Sequence, residues 1–178
     1  MDVKKRNGRL EKLNVDKINK VVERACDGLD GVSSSEIILD AQIKLYDKVK
    51  TSEIDDALIS CSAEKINKDP NYSFVAARLF LATIYKSILK ESVDADTFSI
   101  DYKTQFVKNI KSLVKTCFFD ERLLGFDLTK ISNALIPEND LKLKYLGVKA
   151  LDDRYLFKHD SKRYETPQYL FMRVAMGH

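Results

Sequence analysis

The chain has 178 residues, with 30 basic and 27 acidic side chains and a mean hydropathy of −0.29, enough for one medium domain or two small ones. The net charge of +3 is interspersed, which excludes the concentrated basic face of a typical nucleic-acid binder but leaves room for a small phosphate-bearing ligand. No apolar run approaches the roughly 18 residues of a membrane span, the polar start "MDVKKRNG" is no signal peptide, and Cys26, Cys61 and Cys117 lack any C-x-x-C pairing, so a reduced, cytoplasmic chain without disulfides or zinc is expected.

In chain order, Val3 to Lys5 and Leu10 to Leu13 flank Arg6-Asn7-Gly8-Arg9. Asn-Gly between two short runs predicts a hairpin closed by a type I′ turn. Asn14 then precedes a helix whose apolar residues Val15, Ile18, Val21, Val22, Ala25 and Cys26 recur at helical spacing, with Gly28 as its stop. Ser33 and Glu36 have capping-box spacing ahead of "IILDAQIKLY". A third helix opens at Thr51-Ser52-Glu53 with the stripe Ile54, Leu58, Cys61, Ile66. Pro70 breaks the pattern, because it disfavours helical geometry at Asp69. The most apolar segment, Tyr72 to Glu91, is the fourth helix. "KESVDADT" is polar and aperiodic and marks a boundary near residue 92. Beyond it, helices are expected over Tyr102 to Cys117, Leu128 to Leu135 and Leu141 to Tyr155. "FKHDSKRYE" reads as a turn between extended pieces, and a last helix has Pro167 in its first turn.

Lys4, Lys5, Arg6 and Arg9 cluster at the hairpin, and Lys17 lies one turn into the first helix. A helix N-terminus offers free N–H groups and a positive dipole end, so a basic hairpin folded over it could clamp a polyphosphate. The same residues also suit a solvated turn. Thr51 with Ser52 supplies hydroxyls at a second helix start, or simply its cap. Lys86 on the fourth helix is either a cation aimed at the ligand or a lysine snorkelling to water. His159 and His178 have no metal-ligand partners, the cysteines have no activating neighbours, and no Gly-rich phosphate loop is present. Residue chemistry alone indicates an anion-binding helical module.

Three stretches add a family resemblance. "VKKRNGRLEKLNVDKI", "VKTSEIDDALISCSAEKI" and "DPNYSFVAARLFLATIYK" resemble, in order and spacing, the ATP-cone domain that heads many large subunits of class I ribonucleotide reductase. "LKYLGVKALDDRYLFKHDSKRYETPQYLFMRVAMG" is similar to the segment leading into that enzyme's catalytic ten-stranded barrel. The resemblance implies a mainly α fold: a small β-hairpin capping a four-helix cone over residues 1–92, then a helical segment over 93–178 that stops before the α/β barrel. It implies ATP as an activating effector and dATP as an inhibiting one, with Mg2+. Lys5, Arg6 and Lys17 would hold phosphates, with Lys86 approaching from the fourth helix. Glu11 and Asn14 would contact the sugar or base. Leu13, Ile18 and Ile54 would line the adenine pocket, and Thr51 would add a polar contact.

Where some relatives place a histidine one turn after the threonine, this chain has Asp55, which cannot stack on adenine but can accept a hydrogen bond from its amino group or the ribose. The family's radical and redox cysteines lie on the barrel, and none of the three cysteines here matches one, so the chain is not expected to be catalytic alone. The implied partners are the remainder of the large subunit, in the same or a separate chain, and the small radical-generating subunit, in an oligomer without nucleic acid or membrane. The alternatives are a degenerate cone acting only as an interaction module, or an ATP-cone transcriptional repressor, whose zinc ribbon needs cysteine pairs that this sequence lacks.

Overall fold

The computed structural model describes residues 1–5, 8–89 and 97–177. Helices dominate: α1 (Val15–Cys26), α2 (Ser34–Ile43), α3 (Thr51–Glu64), α4 (Tyr72–Leu89), α5 (Phe98–Lys115), α6 (Leu128–Asn133), α7 (Tyr145–Arg154) and α8 (Pro167–Gly177). The strands are short: β1 (Asp2–Lys4), β2 (Leu10–Lys12), β3 (Val49–Lys50), β4 (Lys158–His159) and β5 (Lys162–Arg163). The chain divides into two units, Met1–Phe80 with Leu143–Gly147, and Leu81–Lys142 with Val148–His178. The boundary expected near residue 92 lies outside the described residues.

In the first unit, β1 is the central strand of a sheet ordered β2-β1-β3, antiparallel to β2 and parallel to β3. The third strand was not expected from the sequence, because two residues are too few to show alternation. It is held by Asp2, whose N–H donates to Asp47 Oδ1 at 2.9 Å and whose carbonyl accepts from Lys48 N–H at 2.8 Å. Val3, Val49, Val22, Ile37, Leu58 and Val75 are buried in one apolar cluster. Arg78 of α4 donates to the carbonyls of Ala25 (3.0 Å) and Asp27 (2.7 Å), satisfying the end of α1. Ser33 Oγ accepts from Glu36 N–H at 3.3 Å, but only this half of the expected capping box forms. The Ser33 N–H donates instead to the Tyr72 hydroxyl at 3.0 Å, and the Glu36 carboxylate pairs with Lys65 and Lys68.

The hairpin turn differs from its expectation. Lys5 N–H donates to Arg9 C=O and Gly8 N–H to Lys5 C=O, both at 2.8 Å. Those bonds continue the Lys4–Leu10 register to Lys5 opposite Arg9, so three residues separate the paired ends where a two-residue turn would leave two, and Gly8 lies in the left-handed region at φ +82°. The expected turn residues Arg6 and Asn7 lie outside the described residues. Among the described residues, positive φ at both central residues of a hairpin occurs between β4 and β5, at Asp160 (+49°) and Ser161 (+60°).

In the second unit, Asp140 is fully buried and accepts from the Tyr85 and Tyr102 hydroxyls (2.8 Å each) and from Gln168 N–H (3.1 Å). Asp152 is buried against Arg163 (2.7 Å) and Lys158 (2.9 Å), and Glu165 against Arg173 at 2.5 Å. These contacts move two helix starts. Phe98, packed on Tyr85 and Tyr102, brings α5 in four residues before Tyr102. The inward pull on Asp140 leaves Pro137–Lys142 as a tight 3-10 segment, so α7 opens at Tyr145 and not at Leu141. Contrary to the reading of the apolar runs, α4 has the length and hydropathy of a membrane span, but 56% of that window is buried within the protein, which suits a core helix.

Candidate functional site

The register of the hairpin decides which side chains share a face. Val3 pairs with Glu11, Lys4 with Leu10 and Asp2 with Lys12. Partners across an antiparallel pair lie on one face, and alternate residues along a strand return to it. Val3 is buried, so its face is the inner one, and Glu11 shares it; by alternation so do Lys5 and Leu13. Lys4, Leu10 and Lys12 are exposed. A two-residue loop would shift the pairing by one and put Lys5 and Glu11 on opposite faces. The three-residue loop therefore brings these two together.

They meet as an ion pair of 2.9 Å, each side chain about one-third exposed (36% and 37%). The Lys5 ammonium holds the Glu11 carboxyl below its usual range, helped by the charges of Lys17 and Arg9 and opposed by partial burial. Glu11 thus lies in the field of three cations from the hairpin and from α1. Leu13 and Ile18 pack against the apolar cluster that contains Ile54, so these three residues lie in one core.

The two helix starts differ. At α1, Asn14 Oδ1 accepts from Lys17 N–H at 3.0 Å, so one free N–H is already satisfied, and Asp16 adds a negative charge to the first turn. At α3 the N-cap residue is Lys50, whose side chain cannot accept a hydrogen bond. Glu53 turns back to accept from Lys50 N–H at 3.0 Å and from the Tyr46 hydroxyl at 2.8 Å. Thr51, at the first helical position, does not act as the cap. Because β3 runs directly into α3 beside β1, the first turn of α3 stands at the Lys4–Lys5 end of the sheet. α1 opens at the other end, where Leu13 N–H donates to Met1 C=O at 3.1 Å.

Lys5, Glu11, Leu13, Asn14, Lys17, Ile18, Thr51, Ile54 and Asp55 all belong to the first unit, and Asp55 is half-buried one turn beyond Thr51. Arg6 lies outside the described residues. Lys86 is half-buried on the part of α4 that belongs to the second unit, so it is not among the residues the first unit brings together. Lys50 was missed in the sequence; its signal was a basic residue immediately before a helix start. A polar groove of about 480 Å³ runs along α5 in the second unit, lined in part by Asp101, Gln105, Lys108 and Lys162. No residue singled out from the sequence lines it.

Comparison with known proteins finds two family matches. Residues 1–87 match the ATP cone domain family, and residues 141–178 match the all-alpha domain family of ribonucleotide reductase. The chain is 39% identical over 184 aligned residues to a ribonucleoside-diphosphate reductase subunit alpha of Helicobacter pylori, covering 98% of this chain and 21% of the relative. The corresponding subunit of Chlamydia muridarum is 35% identical over 86% of this chain and 15% of its own length. That of Salmonella typhimurium is 30% identical over 97% and 22%. The chain spans roughly a fifth of the length of these relatives.

Proposed function

Because the chain belongs to the ribonucleoside-diphosphate reductase alpha-subunit family, with its ATP-cone domain at residues 1–87 and a stretch of its all-alpha domain at residues 141–178, we propose that it is the regulatory N-terminal portion of such a subunit, binding ATP as activator and dATP as inhibitor of ribonucleotide reduction. Catalysis in this reading belongs to the rest of the large subunit acting with the small radical-generating subunit. The observation that carries it is the inner face of the hairpin. There Lys5 pairs with the Glu11 carboxylate at 2.9 Å, which also feels the charges of Lys17 and Arg9, beside a first turn of α3 whose cap residue offers no side-chain acceptor. A triphosphate needs cations and free N–H groups in one place. Leu13, Ile18 and Ile54 offer an apolar wall for a base, and Asn14, Thr51 and Asp55 offer polar groups for its edge and the sugar. Mg2+ would travel with the phosphates.

Titration calorimetry with ATP and with dATP, each with Mg2+, tests the reading. Both nucleotides should release or absorb heat, and saturation at about 100 times Kd should stabilise the chain by about 2.7 kcal/mol. Lys5→Ala and Lys17→Ala should each weaken binding about tenfold, the scale of a lost charge-assisted contact. Absence of heat and of any thermal shift at millimolar nucleotide overturns nucleotide binding. Asp55, where some relatives have a base-stacking histidine, would then favour a cone that serves only as an interaction module.

A further inference from the structure

The Lys5–Glu11 pair has a consequence for which anions the hairpin accepts. Lys5 on the inner face is not waiting for a ligand: its ammonium already holds the Glu11 carboxylate at 2.9 Å. That carboxylate also sits in the fields of Lys17 and Arg9, so it competes with a phosphate for the same positive charge. Both side chains belong to one hairpin and are about two-thirds covered, so the pair is local and preformed. A phosphate that reaches Lys5 meets the Glu11 carboxylate already on that ammonium, and the two negative groups repel at hydrogen-bonding distance.

We propose that Glu11 is a selectivity gate that favours nucleotides over bare polyphosphate: its carboxylate occupies Lys5 until a ligand arrives that supplies both a phosphate for Lys5 and a hydrogen-bond donor for the displaced carboxylate. A nucleotide carries such donors, in the ribose hydroxyls and the exocyclic amino group of adenine. Inorganic triphosphate has neither ribose hydroxyls nor an amino group, so it must break the ion pair without that compensation. The same carboxylate that helps a nucleoside phosphate therefore hinders a similarly charged ion without a nucleoside. This inference rests on the nucleotide reading above and adds a discriminating residue to it.

The test compares ATP with inorganic tripolyphosphate by calorimetry, at matched Mg2+ and ionic strength, on the full chain and on Glu11→Gln. The variant keeps the size of the side chain and removes its charge. Tripolyphosphate should bind the variant about threefold to fivefold more tightly than the unsubstituted chain, the scale of an exposed ion pair. ATP should bind the variant no more tightly, because what Lys5 gains the base or sugar contact loses. The preference for ATP over tripolyphosphate should therefore fall by at least that factor. Glu23→Gln, on the exposed side of α1, controls for net charge and should leave both affinities unchanged.

Equal tightening of both ligands in Glu11→Gln overturns the gate, because it means general charge relief. So does an equal gain in Glu23→Gln, or an unchanged tripolyphosphate affinity in a chain that binds ATP normally. If the unsubstituted chain binds neither ligand, the nucleotide reading itself fails. Thermal midpoints of both variants, measured alongside, establish that each compared species is folded.

Discussion

Two buried aspartates in the second unit show how the same side chain takes opposite character. Asp152 loses water, which raises its pKa, but the Arg163 and Lys158 cations outweigh that and hold it below the usual carboxylate range. Among the described residues no cation pairs with Asp140. Burial pushes it up to about 6, and the hydroxyls of Tyr102 and Tyr85 with the Gln168 N–H offset only part of the cost. The stability consequence has a definite sign. A carboxyl whose folded pKa exceeds its unfolded value of roughly 3.9 binds a proton preferentially in the folded state. Its contribution is therefore unfavourable above about pH 6 and is relieved as pH falls toward 4. Relative to Asp140→Asn, which cannot titrate, the unsubstituted chain should gain about 1.4 kcal/mol between about pH 7.5 and pH 5. Urea unfolding of both at the two pH values measures it. Parallel curves would mean that the tyrosine and backbone donors hold Asp140 ionised throughout.

At the scale of elements, glycines separate backbone cost from side-chain crowding. Gly8 sits at φ +82°, and an added Cβ would meet nothing within 4 Å. Gly8→Ala should therefore cost only the left-handed strain of an L-residue, about 1 kcal/mol. Gly31, at φ +72°, would drive its Cβ into the Asp69 carboxylate, which is fixed by accepting Asn71 N–H at 2.7 Å. Gly31→Ala should thus lose distinctly more stability than Gly8→Ala, and equal losses in thermal melts would contradict the crowding. The same comparison explains what could be seen in the sequence. The helices were legible because Val22, Ala25, Ile54, Leu58 and Cys61 recur at helical spacing and are buried as that spacing demands. The hairpin was legible from Asn7-Gly8, but its register was not. Asn-Gly serves both two-residue and three-residue loops, and only hydrogen bonds distinguish them. The Lys5–Glu11 pair depends on that register, so it was hidden too. The early start of α5 and the late start of α7 depend on Tyr85, Tyr102 and Asp140, which are distant in sequence and meet only after folding.

For the whole molecule, the proposed phosphate contacts and the proton chemistry belong to different units. Lys5, Glu11, Lys17 and Thr51 are in the first, whereas Asp140, Tyr85, Tyr102 and Tyr169 are in the second. Amide hydrogen exchange can therefore read the two effects along one chain, because it reports local opening free energies residue by residue. Saturating ATP should slow exchange in β1, β2 and the first turns of α1 and α3. At saturation near 100 times Kd, the slowing should approach a hundredfold where opening abolishes the site. Lowering the pH from about 7.5 to about 5, corrected for intrinsic exchange chemistry, should raise the opening free energy of amides in α5 and α8 around Tyr102 and Tyr169 by about 1 kcal/mol. The Asp140→Asn variant should lose the second effect and keep the first. If ATP protected only the second unit, phosphate binding at the hairpin would be refuted. If Asp140→Asn left the pH response of α5 and α8 intact, another titrating group would have to be responsible for it.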